Sequence, residues 1–331
     1  MELEKVLREI KSLKKKVQHL SKEIETIKAI FLEDPSSVER MLKMRGIRIL
    51  RRNPTDRLFF PPDLPPFYKN QFYEMMKKYS FRLVLRDMIK HQDRFRIQDL
   101  IHYCSPKVAQ GYCNLLYEMG AIIKDGRERY RTRISPLYSF GPTLEWFIAE
   151  MFKREFASPA IYGVNVKKTP SGGDYDVIAS WNQRLVYVEV KSSPPKGVEL
   201  SEVTTFFSRI DDLLPEVAIL FNDTQLRMKD KLVVMFEEEL ERRYGQESKT
   251  LYPVERLIEE LFHIQHRIFI VNSKKDVVEN FNICLKDYLQ YGAPSPSRPA
   301  PKSGFGRRRP LPILGRGKAC LPVGRGEGLL R

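Results

Sequence analysis

The sequence predicts a multi-domain chain with three folded parts: an N-terminal coiled coil, a small α+β unit that ends in a basic hairpin, and an α/β domain with a mixed sheet flanked by helices. Three observations carry this. Apolar residues recur in heptads near the start. Helical patterns then run into a hairpin with arginine at alternate positions. From Gly141 onward strand-like and helix-like runs alternate, a pattern that packs as a sheet covered by helices. At 331 residues the chain has room for about two or three domains.

Residues 1–33 are the coiled coil. Leu3, Ile10, Val17 and Ile24 recur every seven residues, and Val6, Leu13, Leu20 and Ile27 follow each by three. Mostly β-branched a positions, with Leu13 and Leu20 at d, favour two parallel strands. In that register Glu9 faces Lys14 of a second copy and Glu23 faces Lys28, opposite charges that support a parallel homodimer. Residues 34–69 are basic and rich in proline, with RGIRILRR at 45–52, and read as a linker.

Residues 70–136 form the small unit. Helices are expected near 72–91 and 97–104. A third begins with Ser105 as N-cap and Pro106 at the first helical position. It places Val108, Tyr112, Leu115 and Leu116 on one face and stops at Gly120. AIIKDGRERYRTRI then turns at Asp125-Gly126, and Arg127, Arg129, Arg131 and Arg133 alternate along the second strand and share one side. This order resembles a winged helix-turn-helix domain. The resemblance implies that Lys107 and Gln110 face DNA bases while the four arginines hold the phosphate backbone.

Residues 137–291 form the α/β domain. Gly141-Pro142 opens a helix with Leu144, Phe147, Ile148, Met151 and Phe152 on one face. A strand near 160–167 precedes the stretch SGGDYDVIASWNQRLVYVEVKSS, residues 171–193, which reads as a hairpin. SEVTTFFSRIDDLL reads as a helix, EVAILFN as a buried strand and MKDKLVVMFEEELERRYG as a helix. PVERLIEELFHIQ, RIFIVNS and DVVENFNICLKDYLQYG read as helix, strand and helix.

The hairpin carries the chemistry. Residues two apart on a strand share a face, so Val186, Val188 and Val190 join Tyr175, Val177 and Ala179 in a core. Asp174, Asp176, Glu189 and Lys191 fall on the other side. A two-residue turn at Asn182-Gln183 sets Asp176 opposite Glu189 and Asp174 opposite Lys191. Paired carboxylates at cross-strand distance repel unless a hard cation such as Mg²⁺ or Mn²⁺ lies between them.

GGDYDVIA, a short turn and VYVEVKSS, with a helix in front, resemble the core of the PD-(D/E)xK, or restriction-endonuclease-like, nuclease superfamily. The form is nearest to Holliday-junction resolvases and Mrr-like endonucleases. The proline that names the motif is missing. The resemblance covers about residues 141–223 and implies that Asp176, Glu189 and the main-chain carbonyl of Val190 ligate the metal. It implies that Lys191 orients water or stabilises phosphate charge, and that Glu145 on the preceding helix supports the site. The activity so implied is metal-dependent hydrolysis of DNA phosphodiester bonds, in restriction, repair or branched-DNA processing. The alternative is a dimeric DNA-binding regulator whose nuclease-like domain does not cut.

Charge agrees with an anionic partner. The net charge is +15, of which the tail at 292–331, with nine basic residues against one acid, supplies +8. That tail is rich in Pro, Gly and Arg and is expected to be disordered. No apolar run approaches the roughly 20 residues of a membrane span, and the charged N-terminus is no signal peptide. Cys104, Cys113, Cys284 and Cys320 lack framework spacing, which suits a reducing, cytoplasmic compartment.

Overall fold

The structure, a computed structural model, describes residues 2–32, 35–126, 128–167 and 169–293, with side chains from 9–24 and from 37 onward within those ranges. The tail beyond Ala293, Arg127 of the basic hairpin, and the side chains of Leu3, Val6, Ile27 and Lys28 lie outside the described residues. Helix α1 (Glu2–Leu32) leaves Ile10, Leu13, Val17, Leu20 and Ile24 exposed along one stripe. Among the described residues, no helix is long and apolar enough to cross a membrane.

The segment expected as a linker is instead built into the fold. Helix α2 (Pro35–Met44) buries Val38 and Leu42 completely, each worth about 1.5–3 kcal/mol of burial. Strand β1 (Arg48–Arg51) then forms the sheet edge. Leu58, Phe59 and Phe60 enter the core, and Phe60 meets Phe72 and Trp146 edge-on at 4.9 Å. The prolines and arginines hid these apolar anchors, because they interrupt any periodic pattern without preventing burial.

In the small unit the first expected helix is two, α3 (Pro66–Met76) and α4 (Tyr79–Lys90), broken where Lys78 turns extended. The second is only a single 3-10 turn at Ile97–Leu100. Helix α5 (Pro106–Glu118) starts as expected, with Ser105 accepting from the Val108 amide. Its inner face is Ala109, Tyr112, Cys113 and Leu116, so Val108 is exposed rather than buried. Strands β2 (Ile122–Lys124) and β3 (Tyr130–Thr132) make the antiparallel hairpin. Tyr130 and Thr132 point inward, which leaves Arg131 and Arg133 exposed.

The α/β domain is a mixed sheet with helices on both faces. Helix α6 (Gly141–Glu155) precedes β4 (Ala160–Lys167), β5 (Asp174–Trp181) and β6 (Arg184–Lys191). Helix α7 (Leu200–Leu213) crosses to β7 (Val217–Asn222), and α8 (Val234–Tyr244) and the short α9 (Ser248–Leu251) follow. Strands β8 (Glu255–Ile258), β9 (Leu261–Ile264) and β10 (Ile268–Asn272) and helix α10 (Val277–Asp287) complete it. The strand order is β1-β4-β5-β6-β7-β10-β9-β8, with β6, β7 and β10 parallel and the outer neighbours antiparallel. The stretch 253–265, expected as a helix, is the β8–β9 hairpin. Its glutamates favour a helix, but Leu261–Ile264 are wholly buried beside β10, and that burial decides.

The two folded parts share one core. Residues of α3, α4 and α5 belong to the same apolar cluster as α6, α10 and one face of the sheet, while α2, α7 and α8 cover the other face. A buried ion pair locks the joint. Arg82 on α4 donates to Asp223, just beyond β7, at 3.0 and 3.1 Å, and Arg86 and Ser273 bind the same carboxylate. Asp223 in turn donates its amide to the Lys191 carbonyl at 2.8 Å. The α4 helix therefore docks at the sheet end where the β6 motif lies.

Candidate active site

Asn182 and Gln183 both have positive φ, 47° and 58°, the geometry of a two-residue hairpin turn whose twist matches its strands. The ladder runs from Trp181 opposite Arg184 to Val177 opposite Val188, the register expected from that turn. Beyond Val177 the regular pairing stops, and Asp176 Oδ2 accepts from the Val190 amide at 2.7 Å.

A change of face positions this aspartate. On β4 and β5, Tyr162 and Val177 are partners in one core, while Val164 and Tyr175 are partners in the other. Alternation thus breaks at the residues between them, Gly163 and Asp176. Tyr175 accordingly leaves the valine face on which the sequence placed it. Gly163 has φ +54°, and a Cβ there would lie 2.7 Å from Pro54 and 3.6 Å from Glu145 Oε2. The missing side chain makes room for Pro54, and the Glu145 carboxylate, on the α6 side of the sheet, lies in ordinary contact distance of the same position on β4. Burial, then the charges of Glu189 and Asp174, push Glu145 up to about 7. Burial, then Glu189 and Glu145, hold Asp176 well above the ordinary carboxylate range.

Glu189 is almost fully buried, and cations hold both its oxygens. Lys191 Nζ lies 3.0 Å from Oε1 and Arg209 Nη1 lies 2.6 Å from Oε2, which also accepts from the Tyr187 hydroxyl. Arg209 reaches Asp176 Oδ1 at 3.9 Å as well. Lys191 has a second carboxylate, Glu202 Oε1, at 2.7 Å. Burial opposes the charge on Lys191, but Glu189 and Glu202 outweigh it and raise its pKa. Glu202 and Arg209 stand seven residues apart on α7, two turns along one side of the helix, so one element serves both ends of the Glu-x-Lys motif.

Asp174 does not meet Lys191. Its carboxylate takes Asn165 Nδ2 at 2.6 Å and Arg51 at 3.3 Å, toward the β1 edge. In the small unit Lys107 is exposed, and Gln110 donates to Asn114 at 2.8 Å. Arg129 is half-buried, and Arg133 donates to the Gly120 carbonyl at 3.4 Å.

Glu145, Asp176 and Glu189 supply hard oxygen donors, and their burial and mutual charge create a repulsion that a divalent cation relieves. The donor chemistry therefore fits such an ion. In their present arrangement Arg209 and Lys191 balance the charge. Among the described residues no three or more His, Cys, Asp or Glu side chains form a group placed to hold a metal. Sequence reasoning missed Arg209, Glu202 and Gly163. The spacing of Glu202 and Arg209 on a predicted helix was the available signal for two of them.

No family model matches the chain, and no curated protein does. Among solved structures, protein VC1899 from Vibrio cholerae is similar at 12% identity and a TM-score of 0.45, over 77% of this chain and 62% of that one. Can2 from Sulfobacillus thermosulfidooxidans, in complex with cyclic tetra-adenylate, is similar at 12% identity and a TM-score of 0.36, over 56% of this chain and 50% of that one. The chain thus spans 62% and 50% of the lengths of these two proteins. Likeness of this degree decides neither fold nor activity.

Proposed function

We propose that this chain is a metal-dependent DNA endonuclease of the PD-(D/E)xK type that hydrolyses phosphodiester bonds as a parallel homodimer. One observation carries the proposal: Glu145 from a helix, and Asp176, Glu189 and Lys191 from two strands, gather where β4 and β5 change faces. Asp176, Glu189 and the Val190 carbonyl would hold Mg²⁺ or Mn²⁺, with Glu145 in support. When bound, such an ion supplies positive charge against the phosphate and makes a nearby water more acidic.

The chain's own residues do the rest. Lys191, with its raised pKa, stays protonated at neutral pH. It therefore serves as a positive hydrogen-bond donor to phosphate or water, not as a general base. Glu202 holds the Lys191 ammonium in line. The Val190 amide fixes the Asp176 carboxylate. The small unit acts as a winged helix: Lys107 and Gln110 approach base edges, while Arg127, Arg129, Arg131 and Arg133 grip phosphates. The exposed stripe on α1 pairs with that of a second copy, which brings two sites to one duplex.

One observation favours a second reading, a DNA-binding regulator without cleavage: Arg209 and Lys191 already balance the charge of Asp176 and Glu189. Labelled duplex, single-stranded and branched DNA, and matching RNA, incubated with Mg²⁺, Mn²⁺ or EDTA, separate the two. Cleavage of a DNA substrate that EDTA abolishes supports the nuclease, and cleavage of RNA alone contradicts its assignment to DNA. Binding with no cleavage in either metal supports the regulator.

A further inference from the structure

The carboxylate pair already has a cation, and the fold provides a pocket for it. Arg209 Nη1 lies between the acids, 2.6 Å from Glu189 Oε2 and 3.9 Å from Asp176 Oδ1. The Tyr187 hydroxyl is 3.4 Å away, and the guanidinium carbon stands 5.5 Å from the centre of the Tyr175 ring. Gly172 and Gly173 turn beside it with φ of 60° and 76°, and a Cβ on Gly173 would lie 3.2 Å from Arg209 Nη2.

Arg209 is held through Nη1 alone, which donates to Glu189 at 2.6 Å and to the Tyr187 hydroxyl at 3.4 Å, and by the charge of the acids. Its Nε is buried with no hydrogen-bond partner, a costly arrangement for a charged group. What offsets that cost is the charge of the two acids. Lys191 differs, because it touches Glu189 alone of the pair and keeps Glu202 if Glu189 turns away.

We infer that Arg209 is the resident counter-ion of Asp176 and Glu189, and that a divalent cation binds by displacing its guanidinium. This rests on reading Asp176 and Glu189 as cation ligands. A doubly charged ion between the two acids replaces one unit of positive charge by two, and the guanidinium then faces repulsion where it had attraction. Arg209 swings on α7 away from the sheet, so affinity for the ion is set by the difference between two cations competing for one place. A chain without Arg209 charge starts with an unmet demand for a cation and takes the metal more readily.

Mn²⁺ titrated by calorimetry into the full chain tests this, with Arg209→Gln, Arg209→Lys and Asp176→Asn beside the wild type. The expected result is that Arg209→Gln binds Mn²⁺ at least about tenfold more tightly than the wild type, a shift of about 1.4 kcal/mol. Arg209→Lys falls between them, and Asp176→Asn does not bind. The Tm of Arg209→Gln is below that of the wild type in EDTA and recovers at saturating Mn²⁺. If Arg209→Gln is unfolded by circular dichroism, Arg209→Lys carries the comparison and must still bind more tightly than the wild type. Binding by the Arg209 variants that equals or falls below that of the wild type overturns the inference while the cation site stands. Absence of Mn²⁺ binding in every folded form overturns it together with the nuclease proposal.

Discussion

Asp176 and Glu189 stand on neighbouring strands and share one guanidinium, that of Arg209, at 3.9 and 2.6 Å. Acids this close and this buried repel, and each element around them answers that repulsion. Arg209 and Lys191 bring positive charge, the Val190 amide donates to Asp176, and Glu145 takes up its share of the strain through a raised pKa. Such a site is costly to the fold, and its variants therefore separate stability from activity.

Glu145 gives the pH dependence. Its folded pKa, about 7, lies above its ordinary value of 4.5. Between those values the native state holds more of the proton than the unfolded state, so its contribution to stability falls as pH rises through that window. In EDTA, Glu145→Gln is expected to be more stable than the wild type at pH 8, by about 1–3 kcal/mol, and little different at pH 4. Urea melts at the two pH values check this.

Glu202 pairs with Lys191 at 2.7 Å and, in the proposed reaction, would position it. Its carboxylate also closes a capping box with Glu199 at the start of α7. Glu202→Ala is expected to cost about 1 kcal/mol of stability through the cap and to slow cleavage by about tenfold or more with DNA affinity little changed. Glu202→Gln restores the cap but not the charge. Both variants lose the charge and are expected to move the Lys191 titration downward alike in cleavage rates across pH, while only Glu202→Ala also loses the stability of the cap in urea melts.

Asp223 ties α4 to the sheet end that carries Lys191. Burial opposes its ionised form, but Arg82 and Arg86 outweigh burial and lower its pKa. Its contribution is present above the ordinary aspartate range and is lost as pH falls through the lowered value. Asp223→Ala leaves Arg82 buried without its partner and is expected to cost about 3–5 kcal/mol, read as a shift in urea midpoint. The same variant is expected to loosen the Lys191 end of β6, visible as faster amide exchange at Asp223's neighbours in β6 and β7.

The basic hairpin gives a salt signature. Binding of duplex DNA is expected to fall steeply with salt, and Arg131→Ala is expected to reduce the log–log slope by about 1, with no change in sequence preference. Fluorescence anisotropy over a salt series measures this. A slope unchanged by Arg131→Ala removes that arginine from the interface.

Much of the hairpin's geometry was legible because it is local. The turn dipeptide Asn182-Gln183 and the alternating valines determine the register, and the stripe through Leu144, Phe147 and Ile148 locates α6. Legibility ended where structure depends on distant partners. Arg209 looks like any helix arginine until α7 lies over β6. The face change at Gly163 depends on Pro54, which packs where a side chain would be. The glutamates of 255–260 signalled a helix, and only the buried partner strand β10 overrides them. In 35–60 a few buried residues, Val38, Leu42, Phe59 and Phe60, outweigh a basic, proline-broken sequence.

The Asp176, Glu189 and Lys191 cluster is proposed to cut DNA. Single-turnover cleavage of the best-bound DNA in Mn²⁺, by the wild type, Asp176→Ala and Lys191→Ala, tests it most directly, with affinity measured in parallel. The expected result is EDTA-sensitive cutting by the wild type and a loss of about 10²–10³-fold or more in each variant, with binding retained. Cutting by both variants at the wild-type rate, or a wild type that binds and never cuts, contradicts it.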